Sequence, residues 1–229
     1  MNNALNIHNW NVSIAEAKAI QEELRQKVVL KDQFGNVRFV AGVDVGFEEQ
    51  NTIARTAIVV LTFPDLKVHE HVVSRRPVTF PYVPGYLSFR EIPGVLDALS
   101  KLKTTPDLLL CDGAGIAHPR RLGIAAHIGV LTGFATIGVA KSRLLGKHET
   151  LPEEKGAAVE LIDKNEVIGW VLRSRTGVKP LYISPGHKVS LETAKGFVLK
   201  CLTKYRLPET TRWAHKLASD KRYRNEGLL

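Results

Sequence analysis

A chain of 229 residues with 44% apolar and 24% charged side chains can bury one large core but is short for two domains, and no block of like charge marks a disordered tail. Two cysteines, Cys111 and Cys201, each in an apolar stretch, exclude a disulfide framework, and the longest apolar runs, such as 57–61, exclude a membrane-crossing helix. Without a basic-then-apolar leader, the expectation is a monomer of the reducing cytoplasm with no membrane partner. The net charge of +9 points to a polyanionic partner. That surplus gathers at Arg75 and Arg76, at Arg120 and Arg121, and at Lys141, Arg143 and Lys147.

The pattern predicts an amphipathic helix over 13–31, with Ser13 as cap, Glu16 completing a capping box, and Ile14, Ala17, Ile20 and Leu24 on one face. Strands are expected at 39–47, 56–63 and 68–75, with spacers short enough for an antiparallel meander. Three prolines and a glycine make 77–86 a loop. A helix over 88–102 follows, then a buried strand at 108–111, a helix near 123–131 and a strand at 136–139. The pattern then predicts a hairpin from 167–173 and 180–183 and helices over 191–204 and 209–221. Three antiparallel strands followed by helices alternating with buried strands predict an α/β fold. Its mixed sheet, antiparallel then parallel, is flanked by helices in the order of a ribonuclease H-like domain.

Asp44 lies mid-strand between Gly42 and Gly46. By alternation all three point to one face, leaving room for something to approach the carboxylate. On its own it could equally be a polar residue on a solvated face beside a bulge. Asp112 ends the apolar run 108–111 and opens into a glycine-bearing loop, where open α/β sheets place ligands, although an aspartate there can also merely cap a turn. Two carboxylates on neighbouring strands repel unless a divalent cation lies between them. Glu91, expected in the first turn of its helix, could be the third ligand or only the capping-box partner of Ser88. Hard oxygen donors suit Mg²⁺ or Mn²⁺, and hydrolysis of a phosphodiester uses such a site. Lys141, after the strand 136–139, could neutralise a charged phosphate or simply be a solvated surface charge. His118, His187 and His215 lack the His-x-x-x-His spacing of a zinc site.

Five segments resemble, in order, the motifs of the endonuclease V family: Val-Asp-Val-Gly-Phe, Pro-Tyr-Val-Pro-Gly-Tyr-Leu-Ser-Phe-Arg-Glu, Asp-Gly-Ala-Gly-Ile-Ala-His-Pro-Arg-Arg-Leu-Gly, Gly-Val-Ala-Lys and Pro-Glu-Thr-Thr-Arg-Trp-Ala-His. They span residues 40–215. The resemblance implies a Mg²⁺-dependent endonuclease of DNA repair that recognises a deaminated base such as deoxyinosine and cuts the second phosphodiester bond on its 3′ side. It assigns the metal to Asp44, Glu91 and Asp112, catalysis to these with Lys141, and a less regular place near the metal to His215. Pro81, Tyr82, Val83 and Pro84 resemble the family's wedge, a stiff loop whose ring fills the gap left by a turned-out base. Gly85, Leu87, Gly113, His118, Ile124, Gly138 and Leu144 correspond to its base pocket. Val83 stands where isoleucine is usual, and Ala114 where many relatives have a polar residue.

Three other readings remain at this level. An inosine-specific endoribonuclease or another ribonuclease H-like nuclease would keep the carboxylates, but the latter has no need of a proline-flanked tyrosine. A non-catalytic inosine-binding protein would not need Asp44, Asp112 and Lys141 together. A small-molecule phosphatase or kinase fits the basic surplus poorly. Residue patterns alone do not separate DNA from RNA as substrate.

Overall fold

In the computed structural model, which describes residues 7–219, Ser13 caps the first helix as its spacing requires. The Glu16 amide donates to Ser13 Oγ at 3.2 Å, and the Ser13 amide donates to Glu16 Oε2 at 2.8 Å. Helix α1 (Ile14–Leu24) runs into one 3-10 turn (Arg25–Lys27) and stops short of the expected residue 31. Its apolar face buries Ala17 and Leu24. Ile14 is exposed, and Gln21 takes the buried position between them.

The meander forms as its spacing predicts. Strands β1 (Phe39–Glu48), β2 (Ile53–Thr62) and β3 (Val68–Pro77) pair antiparallel in chain order, each longer than its apolar run suggested. After the 78–86 loop, α2 (Leu87–Ser100) leads to β4 (Leu108–Cys111), then α3 (Ile124–Thr132) and β5 (Ala135–Ala140). Strand β4 runs parallel to both β1 and β5.

The second half adds β6 (Ala158–Asp163), β7 (Glu166–Leu172) and β8 (Leu181–His187), followed by α4 (Leu191–Lys200) and α5 (Glu209–Ser219). The expected pairing of β7 with β8 is present, and β8 also pairs antiparallel with β5. Strand β6 escapes the pattern because Leu161 is its single buried residue, as suits the outermost strand of the sheet. The last residues expected in the final helix, 220 and 221, lie outside the described residues. Eight strands thus form one mixed sheet in the order β3-β2-β1-β4-β5-β8-β7-β6.

Strand alternation sorts the core into two layers. Val40, Val59, Leu108, Leu110 and Ile137 face α4 and α5, burying Ala194, Val198, Ala214 and Leu217. Ala41, Val43, Ile58, Leu109 and Cys111 face the other way, onto Leu24 of α1, Ile92 and Val95 of α2, and Ile128 of α3. Asp44 shares the parity of Val40, and Asp112 that of Leu110, so both carboxylates belong to the α5 side. That parity sets up the site.

Candidate active site

Asp44 sits mid-strand on β1, and Asp112 leaves the end of the parallel neighbour β4, its amide donating to Val43 O at 2.9 Å. Lys141 leaves the next parallel strand, β5, at the same end. The fourth group comes from 171 residues beyond Asp44: His215 on α5 directs Nδ1 at Asp44 Oδ2, 2.7 Å away. The two glycines flanking Asp44 make this possible. A Cβ on Gly42 would meet the Thr210 carbonyl oxygen at 2.0 Å, and one on Gly46 the Ala218 carbonyl oxygen at 2.5 Å. What the bare strand face admits is the backbone of α5, and α5 delivers the histidine.

Ligand atoms of Asp44, Asp112 and His215 all lie within 4.8 Å of one another, a spacing that could hold a metal ion. The Lys141 ammonium is ion-paired with Asp112 Oδ2 and lies 3.2 Å from His215 Nδ1. That nitrogen cannot donate to Asp44 and accept from Lys141 at once, so a proton on Nδ1 leaves the lysine to Asp112.

Burial and the neighbouring Asp44 charge push Asp112 up to about 6, against the pull of Lys141. Burial also works to raise Asp44, but the His215 hydrogen bond and the Lys141 and His215 charges outweigh it and leave Asp44 below its ordinary value. The partnership raises His215 in turn, the Asp44 hydrogen bond being the main cause. The pair therefore shares charge unequally, and Asp112 holds a proton more readily.

Glu91 is placed differently from the expectation. Tyr86 takes the helix cap, and Ser88 instead hydrogen-bonds His127 Nδ1 at 3.1 Å, so no capping box forms. Glu91 falls in the second turn, buried, outside the close metal-binding group. Burial first, and then the charges of Asp44 and Asp112, hold its carboxyl well above the usual range, with Arg90 opposing.

The proline loop is fastened at both ends. Phe80 and Tyr86 are buried against Ala17 and Phe89, while Tyr82 between them is 72% exposed. Pro81 and Pro84 are exposed and Val83 half-buried. Leu87 and Leu144 are exposed apolar residues, which a soluble surface tolerates singly but which here follow the loop and Lys141 in sequence. Gly113, with φ +136°, lies so close to Ile124 that a Cβ would meet its Cγ2 at 2.6 Å, and a Cβ on Gly138 would meet the Gly115 amide at 2.2 Å. His118 lies 3.0 Å from the Gly85 carbonyl oxygen.

Sequence reading passed over two side chains at this site. Arg206 Nη2 donates to the Lys141 carbonyl at 2.7 Å and to Pro180 O at 2.9 Å, bracing the end of β5. Gln21, a polar residue on the apolar stripe of α1, could have been flagged by that anomaly alone.

Residues 22–216 match the family model described as Endonuclease V. The chain belongs to the endonuclease V family. Endonuclease V of Rippkaea orientalis is 63% identical over 209 residues, 91% of each chain. The crystal structure of endonuclease V from Streptomyces avermitilis superposes with a TM-score of 0.86 at 43% identity, covering 92% of this chain and 93% of that one. Endonuclease V of Ciona intestinalis, in complex with a 23mer DNA containing an inosine followed by a ribo-adenosine, gives a TM-score of 0.79 at 35% identity over 90% of this chain and 95% of that one. The mixed sheet and its flanking helices are thus the ribonuclease H-like fold of endonuclease V nucleases, as expected.

Proposed function

We propose that the chain is a Mg²⁺-dependent endonuclease, with Mn²⁺ a substitute, that recognises inosine in DNA and hydrolyses the second phosphodiester bond on its 3′ side. The observation that carries this reading is the convergence of Asp44, Asp112 and His215 within 4.8 Å, with Lys141 paired to Asp112. Two carboxylates held this close, one of them pushed up to about 6, form a donor set that a hard divalent cation relieves. Bound there, such a cation supplies Lewis-acid polarisation of the scissile phosphate and a lowered pKa for the attacking water. The complex of the Ciona relative with inosine-containing DNA supports the substrate.

The chain's own groups have separable tasks in this scheme. Asp44 and Asp112 would hold the cation, with Glu91 a further carboxylate close enough to feel both of their charges. Lys141, ion-paired with Asp112, would offer its ammonium to the charge that builds on the phosphate oxygens. His215 Nδ1 keeps its proton on Asp44 and fixes the angle of that carboxylate. Tyr82, on a loop pinned at Phe80 and Tyr86, fills the gap left by a turned-out base. The base itself is received by Gly85, Leu87, Gly113, His118, Ile124, Gly138 and Leu144. His118 suits a pocket that reads a neutral base: burial and Arg120 bring it down to about 4, so its ring carries no charge at neutral pH.

A ribonucleotide substrate is the second reading, favoured by the ribo-adenosine that follows the inosine in the DNA bound by the Ciona relative. In both readings one domain acts as a monomer. The test is cleavage of end-labelled DNA and RNA oligonucleotides, each with one inosine, in Mg²⁺ or Mn²⁺. A nick at the second bond 3′ to inosine, lost in EDTA, is expected, and its rate ranks DNA against RNA. Equal cutting of inosine-free controls would overturn the recognition reading.

A further inference from the structure

Three side chains converge on one backbone oxygen. The carbonyl of Gly85 accepts from Gln21 Nε2 at 3.1 Å, from Arg120 Nη2 at 2.6 Å, and from His118 Nε2 at 3.0 Å. A peptide oxygen has two lone pairs, so three polar side chains on it are a surplus. The donors come from separate parts of the chain: Gln21 from α1, the other two from the 112–123 loop that follows β4.

They also fix one another. Arg120 Nε donates to Gln21 Oε1, which sets the amide's orientation and turns its NH₂ toward Gly85. The Arg120 amide donates to His118 Nδ1 at 3.3 Å, leaving the ring proton on Nε2 for Gly85. The Arg120 guanidinium lies 4.3 Å over the Tyr86 ring. Gly85, with φ +81°, has little room for a side chain, since a Cβ would meet Arg120 Nη2 at 3.0 Å.

Gln21 is fully buried between Ala17 and Leu24, a position where an apolar residue would pack without any need for partners. Apolar anchoring by Phe80 and Tyr86 already keeps the 78–86 loop on the protein. Apolar contacts are non-directional, whereas hydrogen bonds to one carbonyl fix an angle.

We infer that Gln21 and Arg120 are positioning residues for base recognition: they clamp the Gly85 carbonyl and so hold Tyr82 in register with the loop that begins at Asp112. This rests on the reading of Tyr82 as the residue that fills the gap. The clamp acts on discrimination and not on the chemical step, because the hydrogen bonds of both side chains run to Gly85 and to each other, away from Asp44, Asp112 and Lys141.

The test uses the full chain carrying Gln21→Leu, with Gln21→Glu as a companion that removes the donor to Gly85 and retains an acceptor, now a carboxylate, for Arg120. Amide exchange is followed over 78–86 in metal-free protein, and cleavage kinetics are measured on inosine-containing and inosine-free duplexes. Expected are faster exchange in 78–86 with α4 unchanged, kcat within about twofold, KM raised about fivefold or more, and a similar fall in preference for inosine, the scale of one lost hydrogen bond. In a Tyr82→Ala background the same substitution should add nothing, because the two act on one step. Unchanged exchange, or a loss of the same size with and without Tyr82, would overturn the proposal. A wild-type protein indifferent to inosine would remove the functional reading and the recognition role with it, while the exchange measurement still decides whether the clamp holds the loop.

Discussion

Asp112 carries an electrostatic asymmetry that can be tested directly. Its folded value of about 6 exceeds the ordinary aspartate value, so metal-free protein binds a proton there that the unfolded chain has already lost. The sign follows: this group's contribution to stability is fully present below the unfolded value, near pH 4, and is lost as pH rises through about 6. In EDTA, the difference in melting temperature between pH 5 and pH 7.5 should shrink in Asp112→Asn, while cleavage in Mg²⁺ falls by at least about 10²–10³-fold, the scale of one preorganised charged group. An unaltered pH dependence in that variant would show that the raised carboxyl is not Asp112. Asp44→Asn should abolish cleavage to a similar degree. It also deprives His215 of its main partner, so the histidine should titrate at lower pH in that variant when followed by NMR. At this scale glycine-flanked Asp44 and strand-ending Asp112 stood out in the sequence by type and place, and the fold brings the two together with His215. Glu91 was less legible, because Ser88 three residues before it imitates a capping box while its hydroxyl in fact serves His127.

Two elements decide whether those residues meet. Helix α5 lies so near β1 that Gly42 admits nothing larger than hydrogen. Gly42→Ala should therefore cost about 1–3 kcal/mol in urea denaturation, as overpacking does, and cut activity further by moving His215 off Asp44. Full stability in that variant would mean that α5 can shift freely. The 78–86 loop behaves in the opposite way. Tyr82→Ala removes a 72% exposed ring, so stability should change by no more than about 0.5 kcal/mol while preference for inosine falls. Equal preference in the variant would leave the ring without a recognition task. Helices and strands with a regular stripe were readable from sequence, although α1 ends at Leu24 where residue 31 was expected. Strand β6 was not, since one buried leucine gives no alternation to read, and neither was the approach of α5, which depends on backbone proximity.

Across the whole molecule the net charge of +9 acts as a field. Binding of duplex to metal-free protein should weaken at least about tenfold between roughly 50 and 200 mM salt, linearly in log–log form, with or without inosine. A flat response would assign affinity to base contacts alone. Sheet order was legible only in part. The meander and the parallel step to β4 and β5 follow from spacing, but the antiparallel return of β8 onto β5 is a long-range pairing that local pattern does not encode. Among the described residues no helix is long and apolar enough to cross a membrane.

The partnership of Asp44 with His215 has a consequence for the order in which the protein is made. Translation delivers β1 and its aspartate early, and the ribosome must add 171 more residues before the histidine that fixes that carboxylate exists. Until α5 seats on the two glycines, the nascent chain has carboxylates without their clasp. Completion of the Asp44–His215 pair is therefore among the last steps of folding that this chain can take.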